Sequence, residues 1–350
     1  MRGRAGIRVA GALAAALAAT MLVAPAGAAE KAAGAAEEDS VWKVDVWGHP
    51  FEPYAQIPEE LQAGSTGTWS QLEGALPTRC EALGTLVDTG GGGVTVDMLA
   101  YELSDRQYEN PTTAHSANPE TRFAPKAEKA TFPNGPTAKS ECSSPTSGTA
   151  SATWGRYLSE QFSFEGSSSD TTNRKVDGTL VTETTNKVHG LKVGKLSIGT
   201  VLSWLKVEYK ASQEPTISYR IELSNVTDGQ SNSGAGATGI ALAGQGLAGK
   251  DVPQQFNGQV KGGQGSFKTL GKYGLRLVEP RVGYSKSHRY VVEVSALDGL
   301  IGFAARQNQI GEGFGFRVGV SRSAGRYELV GTPPPTEGYT YMDDPTFGFY

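Results

Sequence analysis

The apolar positions of this chain alternate with polar ones, and most strictly so between Thr179 and Val226. In Pro215–Ser224, Ile217, Tyr219, Ile221 and Leu223 fall on one side, with Ser218, Arg220, Glu222 and Ser224 on the other. A period of two carried by β-branched and aromatic residues predicts a half-buried strand. Upstream, Leu191, Val193, Leu196, Ile198, Leu205, Val207 and Tyr209 keep the alternation, with slips at Gly194-Lys195 and near Thr200. Such slips predict tight turns or bulges. Shorter alternating runs cover Val41–Trp47 (Trp42, Val44 and Val46 on one side), Leu83–Val87, Val94–Leu103 and Tyr157–Phe164. Others follow at Leu275–Pro280, at Tyr290–Ala296 before the hairpin signal Asp298-Gly299, at Phe314–Val320 and at Arg326–Val330. Helical signals are confined to the turn Ile57–Gly64, with proline at its first position, and to Asp251–Lys261 and Ser266–Tyr273. The predicted fold class is mainly β: a large, curved antiparallel sheet, a sandwich or half-barrel, with one or two short helices.

Three stretches break the pattern. Residues 104–151 are rich in Pro, Ser, Thr, Asn and Ala and read as a loop or a linker. Gly166–Asp170 reads as a polar turn, and Asp228–Gly249 as a Gly/Ser/Asn-rich loop. The resulting division is an N-terminal β region (41–103), the loop or linker (104–151), a main β domain (152–330) and an aromatic tail (331–350).

Composition changes the picture at the N-terminus. Arg2, Arg4 and Arg8 precede an Ala-rich apolar run from Val9 to Ala24, and Ala26-Gly27-Ala28 supplies small residues for cleavage. Residues 1–28 are therefore expected to be a secretory signal peptide, followed by a flexible lead-in at 29–40. No second apolar span of ~20 residues follows, so no transmembrane segment is expected after signal removal. Cleavage moves the net charge from −4 to −7, a mildly acidic balance with no electrostatic footprint for nucleic acid. Two cysteines, Cys80 and Cys142, remain. In an exported chain an isolated even pair reads as a disulfide, the competing reading being two free thiols.

Catalytic and cofactor motifs are thin. Gly234–Gly239 and Gly244–Gly249 both fit G-x-G-x-x-G, yet no helix pattern follows either, so glycine density accounts for them. His49, His115, His189 and His288 form no paired ligand spacing, and no metal or cofactor is expected. There is no G-x-S-x-G elbow, although Ser, His and Asp from distant segments could converge in space. The five tryptophans, Trp42, Trp47, Trp69, Trp154 and Trp204, could stack on sugar rings, but a β core more often buries them. Tyr339, Tyr341, Phe347, Phe349 and Tyr350 crowd aromatic groups into the tail after Pro333-Pro334-Pro335. Such a tail is expected to dock, on this chain's own sheet or as a recognition segment on a partner.

The Ser/Thr-rich stretch Gly166–Asn173, the run Val188–Ser203, Gly274–Pro280 and the closing Phe316-Arg-Val-Gly-Val-Ser-Arg stand in an order with a family resemblance. From about Gly166 to Ser323 the chain resembles the exported actinobacterial β-rich proteins described as choice-of-anchor family P. The resemblance implies export and a β-rich body and carries no site residues over. The expected function is that of a secreted, non-enzymatic protein that binds an unknown partner at the cell surface or outside the cell. The alternatives are a carrier of an apolar ligand in a curved-sheet cavity and a secreted hydrolase with a dispersed active site.

Overall fold

In a computed structural model the chain folds as two large, mostly antiparallel sheets packed face to face, neither closed into a barrel. The structure describes residues 40–55, 65–74, 78–88, 103, 112–119, 128–131, 135–158, 162–229, 238–247, 270–278, 280–302 and 313–342.

The chain enters through β1 (Ser40–Ala55), β2 (Ser65–Glu73), β3 (Arg79–Asp88) and β4 (Thr113–Asn118). It crosses to the second sheet for β5 (Lys129–Thr131), β6 (Thr137–Ser144), β7 (Ser147–Trp154), β8 (Tyr157–Leu158) and β9 (Phe162–Phe164). That sheet continues with β10 (Gly166–Val176), β11 (Thr179–Val193), β12 (Leu196–Lys210), β13 (Thr216–Val226) and β14 (Thr238–Leu247). The chain then returns to the first sheet with β15 (Leu275–Leu277), β16 (Arg281–Tyr284), β17 (Tyr290–Val294), β18 (Leu297–Gly302), β19 (Gly313–Leu329) and β20 (Thr340–Tyr341). The first sheet runs β20-β16-β17-β19-β1-β2-β3-β4, with β15 and β18 off that path. The second runs β14-β13-β12-β11-β10-β7-β6-β5, with β8 and β9 beside it. The long antiparallel pairing of β1 with β19 therefore joins the two ends of the chain.

The expected core residues are where the alternation puts them. Ile217, Tyr219, Ile221 and Leu223 are buried, while Arg220 is exposed and ion-paired with Glu222. Trp42, Val44 and Val46 are buried on β1. Gly194-Lys195 is the two-residue turn between β11 and β12. The slip near Thr200 is a reversal of phase: burial changes from Leu196 and Ile198 to Val201 and Ser203, opposite Gly190, whose φ is +63°. β19 reverses in the same way. Phe316 and Val318 face the core, then Gly319 at φ +67° turns Ser321 and Ser323 inward and leaves Val320 on the outer side. The left-handed backbone at that point is the reason for glycine.

Four expectations change. Asp228–Gly249, expected as a loop, holds β14 at Thr238–Leu247. Asp298-Gly299, expected as a hairpin turn, lies inside β18, which pairs with β15 and β19 and not with β17. Residues 104–151 hold β4, β5, β6 and most of β7, so the described part of this stretch is a sheet edge and not a structureless linker. Its inward positions are Ala114, Ala130, Ala138, Ser140 and Ala150, too small to register as a hydrophobic pattern. Gly166–Asp170, expected as a polar turn, opens β10, and Ser167 and Ser169 are buried between the sheets. The helical turn at Ile57–Gly64, the helix at Asp251–Lys261 and most of the strand at Val94–Leu103 lie outside the described residues; Leu103 itself is helical. Of Ser266–Tyr273, Leu270–Lys272 are helical.

The space between the sheets carries an apolar core at one end and a hydroxyl and amide seam at the other. Asn173 Nδ2 on β10 donates to the Ser70 carbonyl at 2.6 Å, and Asn186 Nδ2 on β11 donates to the Val320 carbonyl at 2.8 Å. Thr68 meets Ser169 at 2.6 Å, Thr182 meets Ser323 at 2.7 Å, and Tyr209 Oη meets Ser323 at 2.9 Å. Each bond crosses from one sheet to the other. These paired atoms are tolerated in the interior, and each such bond contributes about 1 kcal/mol net. The side-chain oxygens Asn173 Oδ1 and Asn186 Oδ1, by contrast, have no hydrogen-bond partner among the described residues. Cys80 on β3 and Cys142 on β6 form the expected disulfide, a covalent tie between the sheets at the same end.

Candidate functional site

The strand register organises a polar surface on the outer face of the second sheet. Reading the pairings across it, Lys129, Lys139, Ser151, Asp170, Thr185, Trp204, Arg220 and Ala243 stand opposite one another on eight successive strands, β5 to β14. All eight are exposed or half-buried. A parallel row of Glu141, Thr149, Thr172, Glu183, Lys206 and Ser218 lies beside it. Adjacent strands stand about 4.8 Å apart, so the rows offer a ladder of polar groups perpendicular to the strands. Trp204 sits in the middle with its indole Nε1 donating to Glu183 Oε1 at 2.7 Å. That bond fixes the ring as a half-exposed platform.

At the β5–β10 end the rows sink into an open groove of about 540 Å³, lined in part by Glu128, Lys129, Lys139, Glu141 and Asp170. Partial burial pushes the Asp170 carboxyl up, with Lys187 working against it. The groove mixes cations, acids and hydroxyls, and no aromatic side chain lines it among the described residues. Its chemistry suits a polar ligand.

The outer face of the first sheet is different. Asp45 on β1 points outward and is almost fully buried there. Its Oδ1 accepts from Trp69 Nε1 at 3.1 Å and from Gln71 Nε2 at 2.9 Å, both on β2. Its Oδ2 meets His288 Nε2 at 2.5 Å, and His288 Nδ1 meets Ser287 Oγ at 2.6 Å. The β16–β17 connection, Ser285–Arg289, brings these last two residues in. Farther along the face, Arg322 joins Glu52 at 3.0 Å and Glu293 at 2.7 Å, and Arg317 reaches Glu293 at 3.0 Å. Burial works against the Glu52 carboxylate, but Arg322, His49 and Arg317 outweigh it and hold its pKa below the ordinary value.

No family model and no curated protein matches this chain. A search of solved structures returns the crystal structure of Acinetobacter baumannii OccAB4, at 7% identity, over 83% of this chain and 98% of that one, with a TM-score of 0.17. A likeness at that level carries no argument about fold or function.

The residues singled out in sequence fall in three places. Cys80 and Cys142 are joined at the sheet edge. Tyr339 and Tyr341 dock on the first sheet: Tyr339 packs edge-on against Tyr290 at 5.6 Å, and Tyr341 against Tyr284 at 5.6 Å. Between them β20 pairs in parallel with β16, and Met342 N donates to the Tyr284 carbonyl at 2.9 Å. Gly283 permits this approach, since a Cβ there would collide with the Thr340 carbonyl and the Met342 side chain. Phe347, Phe349 and Tyr350 lie outside the described residues. Among the tryptophans, Trp42 and Trp47 are buried and Trp69, Trp154 and Trp204 are half-buried. Gly244–Leu247 continue β14, so the second glycine motif starts inside a strand. Among the described residues no three metal-ligating side chains converge, and no helix is long and apolar enough to cross a membrane.

Proposed function

We propose that this is an exported protein that binds a polar, hydroxyl-rich polymer, a polysaccharide of the cell surface or its surroundings, across the outer face of its second sheet. The observation that carries the reading is the row Lys139–Ser151–Asp170–Thr185–Trp204–Arg220, which sets an aromatic platform among alternating donors and acceptors. Indole faces pair with the C–H faces of sugars, while the flanking charges and hydroxyls take the ring substituents. Export is supported by the signal-peptide pattern of residues 1–28, by the disulfide, and by the resemblance to choice-of-anchor family P. The carrier alternative loses support where the sheets meet through hydrogen bonds, since that space holds side chains and not an apolar ligand.

The test is sedimentation of the secreted protein with isolated bacterial cell wall and with cellulose, and affinity electrophoresis in soluble xylan. Binding to at least one of these polymers is expected, weakened at least ~10-fold by Trp204→Ala, as for a central aromatic anchor. Retention by none of them, or retention that Trp204→Ala leaves unchanged, rejects the reading.

A further inference from the structure

We propose that Ser287, His288 and Asp45 form a nucleophilic acyl-transfer site on the outer face of the first sheet, acting on carboxylic esters. The polarity of the relay follows from its hydrogen bonds. An ionised carboxylate only accepts, so the proton between Asp45 Oδ2 and His288 Nε2 belongs to the ring. In the neutral imidazole Nδ1 then carries the lone pair, and the Ser287 hydroxyl donates to it. This is the arrangement a general base needs toward a serine nucleophile, with the two ring nitrogens exchanged relative to the chymotrypsin order.

Burial grades in the same sense. The side chains of Asp45 and His288 are 3% and 8% exposed, whereas Ser287 is half-buried at the mouth. The ring is fixed from several sides. Trp47 meets it edge-on at 6.3 Å, and the His288 backbone N–H donates to Ser285 Oγ at 3.1 Å. Asp45 is fixed in turn by Trp69 and Gln71. Half-buried Trp69 and Met342, packed with Trp47, supply apolar surface beside the relay for the substrate's carbon groups.

In the reaction Ser287 Oγ bonds to the ester carbonyl carbon while its proton passes to His288 Nδ1. Collapse of the tetrahedral adduct breaks the C–O bond to the alcohol, which leaves with the proton from Nδ1. Water then attacks the acyl-serine with the same base, releasing the carboxylic acid and restoring the hydroxyl. Asp45 positions the ring and faces the imidazolium that forms in each half.

The experiment treats the oxidised, secreted protein with a fluorophosphonate probe and with p-nitrophenyl acetate. A single phosphonyl adduct on Ser287 is expected by peptide mass, together with ester hydrolysis. Ser287→Ala, which replaces a half-exposed loop residue and should melt with the parent, loses the adduct and the hydrolysis. Asp45→Asn slows labelling by ~100-fold or more and moves the pH at which labelling is half-maximal, because the imidazole has lost its carboxylate. Hydrolysis unchanged in Ser287→Ala, or no adduct on Ser287 under conditions that fully label a known serine hydrolase, shows that the cluster only clamps the β16–β17 connection.

Discussion

Single residues decide how the two sheets are held at their distance. Asn173 and Asn186 each reach a backbone carbonyl of the opposite sheet, so truncation to alanine removes the donor and leaves buried acceptors facing a void. Each change should cost roughly 1–3 kcal/mol in a urea titration. Ile221, fully buried on β13, should cost roughly 2–5 kcal/mol as Ile221→Ala. The two predictions distinguish the seam from the apolar core, and a loss below ~0.5 kcal/mol at either place would mean a surface position. They also show what was legible. Ile221 announced itself by alternation with Arg220 and Glu222. Asn173 did not, because the inward positions of β10 are Ser, Ser, Thr and Asn, and a polar residue in sequence carries no mark of the face it occupies. The relay at Asp45 was equally silent: 243 residues separate it from His288, and the β1–β19 and β17–β19 pairings bring them together.

Strands report their neighbours unevenly. The β11–β13 hairpins were readable because both partners are local and bulky. The edge β4–β7 was hidden behind alanine, serine and threonine, and its place depends on a pairing and a disulfide that span many residues. The Cys80–Cys142 tie closes a sequence separation of 62 between β3 and β6. Loss of that constraint, by Cys80→Ser with Cys142→Ser, is expected to lower stability by about 4 kcal/mol on the chain-entropy account. Equal denaturation midpoints for the double variant and the parent would show that the hydroxyl seam alone fixes this end. The tail is the other dependent element. β20 adds only two residues to the edge, yet it places Tyr339 against Tyr290 and Met342 beside the Trp47 cluster. Removal of residues 332–350, or Gly283→Val, should therefore lower the melting temperature. An unchanged melt after both would mean that the docked strand contributes nothing to the fold.

For the whole molecule, the outer face of the first sheet ties its strands with charge, and this sets the response to acid. Arg322 bridges Glu52 on β1 and Glu293 on β17 from its place on β19, and His115 on β4 and Arg79 bracket Glu81 on β3. Burial opposes both Glu52 and Glu81 in their charged forms. For Glu52 the cations Arg322, His49 and Arg317 prevail, and for Glu81 the hydrogen bond and charge of His115 with Arg79 prevail; both carboxyls are held below their ordinary value of 4.5. A carboxyl depressed in the folded state contributes stability that is fully present above its unfolded pKa and is lost as pH falls through the folded one. The melting temperature should therefore be nearly flat from pH 7 to about 5 and drop below about 4.5, as the unfolded carboxylates take up protons that the folded ones resist. Asp170 works with the opposite sign: its carboxyl is raised by burial, so Asp170→Asn should leave neutral-pH stability unchanged or slightly improved. Glu52→Gln separates the contributions. It should melt lower than the parent at pH 7, and the gap should narrow as the pH falls below about 4.5, where proton uptake by the unfolded carboxyl erodes what the folded ion pairs contribute. A gap that stays constant between pH 7 and pH 3 would mean that Glu52 acts through shape and not through its ion pairs.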